Sequence, residues 1–347
     1  MTDPMDTEES RALRDAVRAL LTRRSGPEAV RAAMDSPLGY DDKLWSTLCE
    51  QIGVAALAIP DHYGGAGAGL AEVCVVLAEL GRTLTPAPML GSAVLCGEAL
   101  LRTGNDEACE RLLPGIAAGT TLAALAWSDV DGQVSLTASA AGLDGCAHYV
   151  LDGDIADVLL AVARTPDGTG LYEVPVEGLR RERVTSLDPT RRLAVVDFAS
   201  TPARRLDLGG FTEQLRQLRA TAVIAVAAEQ VGAAARALEL TVEYTKQRRQ
   251  FGRPIGSFQA LKHRMADVHV HVEAARSALY AALVDGDPEA VSAAKVVCGE
   301  AFAHTVAEMI QLHGGIAITW EHDAHLYFKR AHGTALLFPD PADIASP

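Results

Sequence analysis

The segment YTKQRRQFGRPIGSFQALKHRMAD, residues 244–267, reads as one helix ending and a second beginning. Between them stand Phe251-Gly252 and Arg253-Pro254. Proline offers no backbone N–H and disfavours a helical residue before it, so a single helix cannot run through. Arg248, Arg249 and Arg253 crowd this break in a chain whose formal net charge is −14. Guanidinium groups hold phosphate oxygens with paired donors, and free N–H groups at the next helix start add to that grip. Phe251 offers an aromatic face beside them. The residues alone leave two readings open. One is a site for the pyrophosphate and base of a nucleotide; the other is a solvated basic helix end complementing its own dipole.

Upstream, residues 213–247 hold one Gly and no Pro and are dense in Ala, which predicts a long, closely packed helix. Downstream, helices are expected over roughly 259–284 and 288–312, split by DGDP and stopped at Gly314-Gly315. From about 121 to 207 the pattern changes. QVSLTASAAGL, HYVLDGDIADVLLAVART, GLYEVPV and RRLAVVDFAS are short, rich in Val and Leu, and punctuated by Gly, Asp and Pro. They predict a compact antiparallel sheet or barrel. Residues 8 to about 118 return to helical spacing, with Leu13, Val17, Leu20 and Leu21 on one face. The expected class is α+β: an N-terminal helical domain (1–118), a middle β-sheet or barrel domain (119–208) and a C-terminal four-helix bundle (209–347).

With 347 residues, 49% of them hydrophobic, the chain can bury a sizeable core. Its acidic balance argues against nucleic acid and against a polybasic membrane patch. No apolar run reaches transmembrane length by sequence. The start, MTDPMDTEES, is too acidic and polar for a signal or transit peptide. Six cysteines form no CxxC pair, which suits reduced core thiols in a cytoplasmic protein.

Three further motifs bear on chemistry. QLHGGIAITWEHDAHLYFKRA, residues 311–331, ends a helix on two glycines, where backbone can approach a ligand closely or merely cap the helix. His322 and His325 in it lack the further ligands of a metal site, and no metal is expected. His263 and Asp267, one helical turn apart, suit a surface hydrogen bond. IPDHYGGAGAG, residues 59–69, matches neither a P-loop nor a dinucleotide-binding turn and reads as a loop.

Together the RRQFGRPIGSFQALKHRMAD, QLHGG…TWEHDAHLYFKRA and IPDHYGGAG motifs, in this order of helices, sheet and helices, resemble the acyl-CoA dehydrogenase family over nearly the whole chain. TWEHDAHLYFKRA is most similar to actinobacterial-type members acting on bulky, some steroid-derived, acyl-CoA thioesters. The resemblance implies α,β-desaturation of an acyl-CoA with FAD as cofactor and an electron acceptor to reoxidise it. It also implies that the basic segment reaches across a subunit interface to a neighbour's FAD. Arg248 would then bind the pyrophosphate. Gln250, Phe251, Ile255 and Phe258 would line the adenosine side, and Gln311, Gly314 and Gly315 would close over the same half.

The chain departs from the family in its own flavin half-site. LAALAWSDVDG stands where a Thr-Glu-Pro-type motif ending in Gly-Ser-Asp is usual, and Tyr149 and Leu151 stand in the Trp-Ile-Thr place. The family's base, usually a Glu, maps either to Ala222 or near Phe338. Asp340, two residues on, is the remaining catalytic candidate, while Glu229 lies two helical turns past Ala222. The resulting expectation is one subunit of a hetero-oligomer whose paralogous partner supplies the base. The alternatives are a self-sufficient homo-oligomer using Asp340, and a non-catalytic structural subunit of the same fold.

Overall fold

Thr7 opens the first helix by accepting a hydrogen bond from the Ser10 N–H (3.1 Å), and α1 runs Glu8–Arg24. The computed structural model describes residues 4–128 and 130–338. Helices α2 (Pro27–Asp35), α3 (Asp42–Thr47), α4 (Leu70–Thr83), α5 (Gly97–Leu101) and α6 (Asp106–Ala117) follow. A wide-turned helical stretch, Met89–Cys96, leads into α5 and is buried along its whole length. IPDHYGGAGAG is a loop that folds back on itself, with the Gly67 N–H donating to Ile59 O at 2.9 Å.

The strands are β1 (Ala123–Ala126), β2 (Leu136–Ser139), β3 (Gly142–Leu151), β4 (Val158–Thr165), β5 (Gly168–Val174), β6 (Arg180–Arg183), β7 (Leu193–Thr201) and β8 (Arg204–Arg205). The main path is β6-β7-β3-β2-β4-β5-β8, with β1 added beside β4. This corrects the expectation of an antiparallel sheet: β1 and β2 both lie parallel to β4, with Ala123 opposite Val158 and Leu136 opposite Ala163. Long connections, not hairpins, join those pairs, and that is what permits parallel pairing. Strand β4 is buried on both faces. Leu159 and Ala161 face a core with Val196 and Phe198, while Leu160 and Val162 join the core of the helices. Double burial explains its unbroken apolar run.

Helix α7 (Thr212–Gln247) has 36 residues, a length of about 54 Å. It is the one helix among the described residues long and apolar enough to cross a membrane, and most of that apolar window is buried in the fold. Residues Thr221–Ala234 are buried on every side, as a central helix requires. It crosses α4 at backbone contact. A Cβ on Gly232 would stand 2.0 Å from Ala78 O, and one on Gly81 2.3 Å from Glu229 O.

Past α7, a two-strand ribbon, β9 (Arg249–Gln250) and β10 (Arg253–Pro254), leads to α8 (Gln259–Asp285), α9 (Pro288–His313) and α10 (Ala324–Ala335). The DGDP break resolves into a left-handed Gly286 closing α8, Asp287 capping α9 by accepting from the Ala290 N–H (2.7 Å), and Pro288 in its first turn. Helices α7 to α10 make the expected four helices of the C-terminal part.

Candidate functional site

The break in residues 244–267 is a tight hairpin. Arg248 leaves α7 in extended conformation, its N–H still bonded to Tyr244 O at 2.8 Å. Gln250 pairs with Arg253 and Arg249 with Pro254, which leaves Phe251 and Gly252 as the two-residue tip. Both have positive φ, 53° and 77°, as a two-residue hairpin of this hand demands. A bulky residue pays strain in that region, and such strain is a pointer to function. The Phe251 ring is 90% exposed. The Ile255 N–H closes the hairpin on Arg248 O at 2.8 Å.

The cations of this hairpin are not consumed by the fold. Arg248 is exposed, and its guanidinium has no hydrogen bond or ion pair among the described residues. Arg253 lies over the Phe258 ring at 4.0 Å, and Arg249 donates only to Gly252 O (3.2 Å). Gln250 is exposed, and Ile255 and Phe258 are half-buried. Next to the hairpin, His263 bonds to Gln259 at 2.9 Å and not to Asp267.

The end of α9 lies against the same end of α7. The Tyr244 hydroxyl donates to His313 O at 3.2 Å, and the two rings stack at 4.2 Å. Gln311, Gly314 and Gly315 are exposed around that contact. Gly314 adopts φ 68° and ψ −149°, a conformation essentially reserved for glycine, and open space surrounds the place of its Cβ. Unpaired guanidinium, open glycine backbone and an uncovered aromatic form a donor set that fits a pyrophosphate and its attached base. Sequence reasoning missed Tyr244 and His313 as the joint of this surface. They are 69 residues apart, and nothing local signals the contact.

The positions that the resemblance assigns to the chain's own half-site carry mostly apolar side chains. Trp127, in the LAALAWSDVDG stretch, is buried and meets Phe338 edge-on at 5.3 Å. Trp127, Leu151 and Ala222 belong to one continuous apolar core, with Phe338 packed against it. No carboxylate is among them. Tyr149 is half-exposed at a register shift between β3 and β7, in left-handed conformation (φ 54°). A cleft of about 310 Å³ opens beside Thr221, but its acid, Glu98, is held by Arg102 at 2.5 Å. Asp340 lies outside the described residues.

Glu229 is committed elsewhere. It pairs with Arg191 and with Arg330 (3.5 Å), and Arg330 in turn meets Asp188 at 2.9 Å. These buried groups tie the β domain to α7 and α10, a structural role in which each charge needs its partner. Beside them a small polar cavity is lined by Tyr40, Asp152, Arg191 and Arg192. Burial there pushes the Asp152 carboxyl up to about 7, with Arg191 and Arg192 partly opposing. A cavity of about 400 Å³ lies between α1, α4, α7 and α10 and is lined by Leu21, Val30, Leu84, Leu240 and Leu326.

Two family models match the chain: acyl-CoA dehydrogenase, N-terminal domain, over residues 7–120, and acyl-CoA dehydrogenase, C-terminal domain, over residues 209–337. The acyl-CoA dehydrogenase IpdE2 of Mycobacterium tuberculosis is 45% identical over 344 residues, covering 99% of this chain and 96% of that protein. FadE34 of the same organism is 34% identical over 94% of this chain, which spans only 45% of that longer protein. Among solved structures, a chain of the Tcur3481–Tcur3483 steroid ACAD is 31% identical with a TM-score of 0.87, covering 97% of this chain and 96% of its own. A chain of the ChsE4–ChsE5 complex from Mycobacterium tuberculosis is 27% identical with a TM-score of 0.89 over 100% of both chains. With these matches and the architecture described above, the chain belongs to the acyl-CoA dehydrogenase family of FAD-dependent oxidoreductases.

Proposed function

We propose that this chain is the cofactor-gripping subunit of a hetero-oligomeric acyl-CoA dehydrogenase, and that a paralogous partner carries the catalytic base. The observation that carries this reading is the contrast between its two half-sites. The hairpin presents an unpaired Arg248 and an uncovered Phe251 outward, whereas Trp127, Leu151, Ala222 and Phe338, where the family's own half-site and base map, are apolar and packed in or against the core. Arg248 binds the pyrophosphate of FAD. Gln250, Phe251, Ile255 and Phe258 receive its adenosine side, and Gln311 with Gly314 and Gly315 closes over the same half. When bound, FAD supplies the two-electron oxidation that forms the Cα–Cβ double bond. The α proton goes to a carboxylate of the partner, because the two places where the family's base maps hold Ala222 and Phe338, neither of which can take a proton.

The relatives support a paired assembly and a bulky, steroid-derived acyl group. Two similar solved chains belong to the ChsE4–ChsE5 complex and to the Tcur3481–Tcur3483 steroid ACAD. FadE34 is long enough to hold a second unit of this size. Coexpression with an adjacent paralogous gene, followed by copurification and an absorption spectrum, tests the reading. A flavin-loaded complex of two different chains is expected. A homo-oligomer that desaturates acyl-CoA by itself and loses most activity in Asp340→Asn would replace it.

A further inference from the structure

We propose that His313 is a positioning residue for the cofactor: its ring, packed against both Tyr244 and His322, locks the basic hairpin and the Gly314–Gly315 turn into one grip, and acidification unlocks it. The inference rests on the cofactor-gripping role proposed above. Tyr244 stands one helical turn before Arg248, whose N–H it receives. His313 immediately precedes Gly314. The two segments that contact the cofactor are therefore joined through one ring pair, stacked at 4.2 Å with 25° between planes. His322 lies 4.6 Å from the His313 ring and 6.4 Å, edge-on, from the Tyr244 ring, so the loop before α10 is tied to the same joint.

Hydrogen bonding sets the ring forms. The His313 Nδ1–H donates to Met309 O at 2.8 Å, which leaves Nε2 as a bare acceptor. That Nε2 is buried with no partner among the described residues, in a residue only 5% exposed. His322 accepts from the Ala324 N–H through Nδ1 (3.1 Å), so its proton sits on Nε2. Protonating His313 puts a second N–H where no acceptor waits, inside a ring stack and beside another imidazole. The charged and titratable neighbours do not relieve this. They are Tyr244 on α7 and His322 on the loop; Asp323 and Arg31, which act on His322, already engage each other at 2.7 Å. Burial accordingly lowers His313 below the ordinary imidazole range, with the nearby His322 adding to it and the Met309 carbonyl opposing. Such a group is neutral at pH 7, and the joint opens only below the ordinary value of about 6.5.

The test follows FAD release from the copurified complex by the rise in flavin fluorescence, from pH 7.5 down to 5. Wild-type complex is expected to retain FAD at neutral pH and to release it in a transition below about 6.5. His313→Phe keeps a ring against Tyr244 but cannot titrate, so the acid transition should vanish. His313→Ala removes the stack and should raise the FAD dissociation constant on the order of tenfold already at pH 7.5. A merely structural His313 would lower thermal stability in both variants and leave the pH profile in place. FAD-loaded complexes whose pH profiles coincide for wild type and His313→Phe overturn this inference alone. A wild-type complex that never holds FAD overturns it together with the reading on which it rests.

Discussion

Arg248 leaves α7 with a guanidinium that the fold does not use, so its removal should spare folding and strike the cofactor. A hydrogen bond to a charged group is worth about 1.5–3 kcal/mol. Arg248→Ala should therefore weaken FAD binding by the assembled complex roughly 10- to 150-fold, with the melting temperature of the ligand-free chain unchanged. Equal FAD affinity in titrations of wild type and variant would return Arg248 to an ordinary solvated helix end. Asp340 is the converse case. Asp340→Asn should leave turnover of the complex within a few-fold, whereas loss of a positioned base typically costs ~10²–10⁴-fold. The matching carboxylate-to-amide change in the partner should produce that larger loss. At Asp152 the sign is set by a raised carboxyl, about 7 against an ordinary value near 3.9. The folded chain holds that proton longer than the unfolded one, so this group's stabilising contribution is full below about pH 4 and is lost as pH rises to about 7. Asp152 has φ 54°, a conformation that Asn also tolerates. Asp152→Asn should therefore flatten the fall in melting temperature between pH 5 and 8 and raise it at pH 8. An unchanged slope would mean that the carboxyl ionises normally in its cavity.

Helix α7 and its crossing with α4 decide how the three parts sit together. A methyl on Gly232 would meet Ala78 backbone at 2.0 Å, so one helix must shift. Gly232→Ala should lower stability by about 1–3 kcal/mol, as overpacking does, despite the better helix propensity of alanine. A melting temperature equal to or above wild type would show that the crossing is looser than the backbones indicate. The long helices were legible because their punctuation was local: the limits expected for 213–247 and 259–284 lie within a residue of Thr212–Gln247 and Gln259–Asp285. Strand β1 was not legible, because Ala-Ala-Leu-Ala carries little strand preference and is held there by burial beside β4. Nor were the parallel pairings, which depend on connections far longer than any turn. At the site, the type of Arg248, Phe251 and Gly314 could be read along the chain. The ring joint between Tyr244 and His313 and the Trp127–Phe338 contact could not, since each joins residues distant in sequence.

On the scale of the whole molecule, the proposed function rests on a contrast between an exposed basic hairpin and apolar, core-packed residues where the family's own half-site maps. The chain is acidic overall, with an exposed basic hairpin at one end of its bundle, a distribution that favours an anion at that place. The division of labour proposed above follows from this asymmetry, and it predicts that neither subunit alone forms a complete site. The measurement that tests it most directly is the flavin stoichiometry of this chain purified alone and purified with its coexpressed paralogue, read from the absorption spectrum of each. The account predicts a colourless or weakly flavinated chain alone and an FAD-loaded complex containing both chains. Stoichiometric FAD in the isolated homo-oligomer would contradict it.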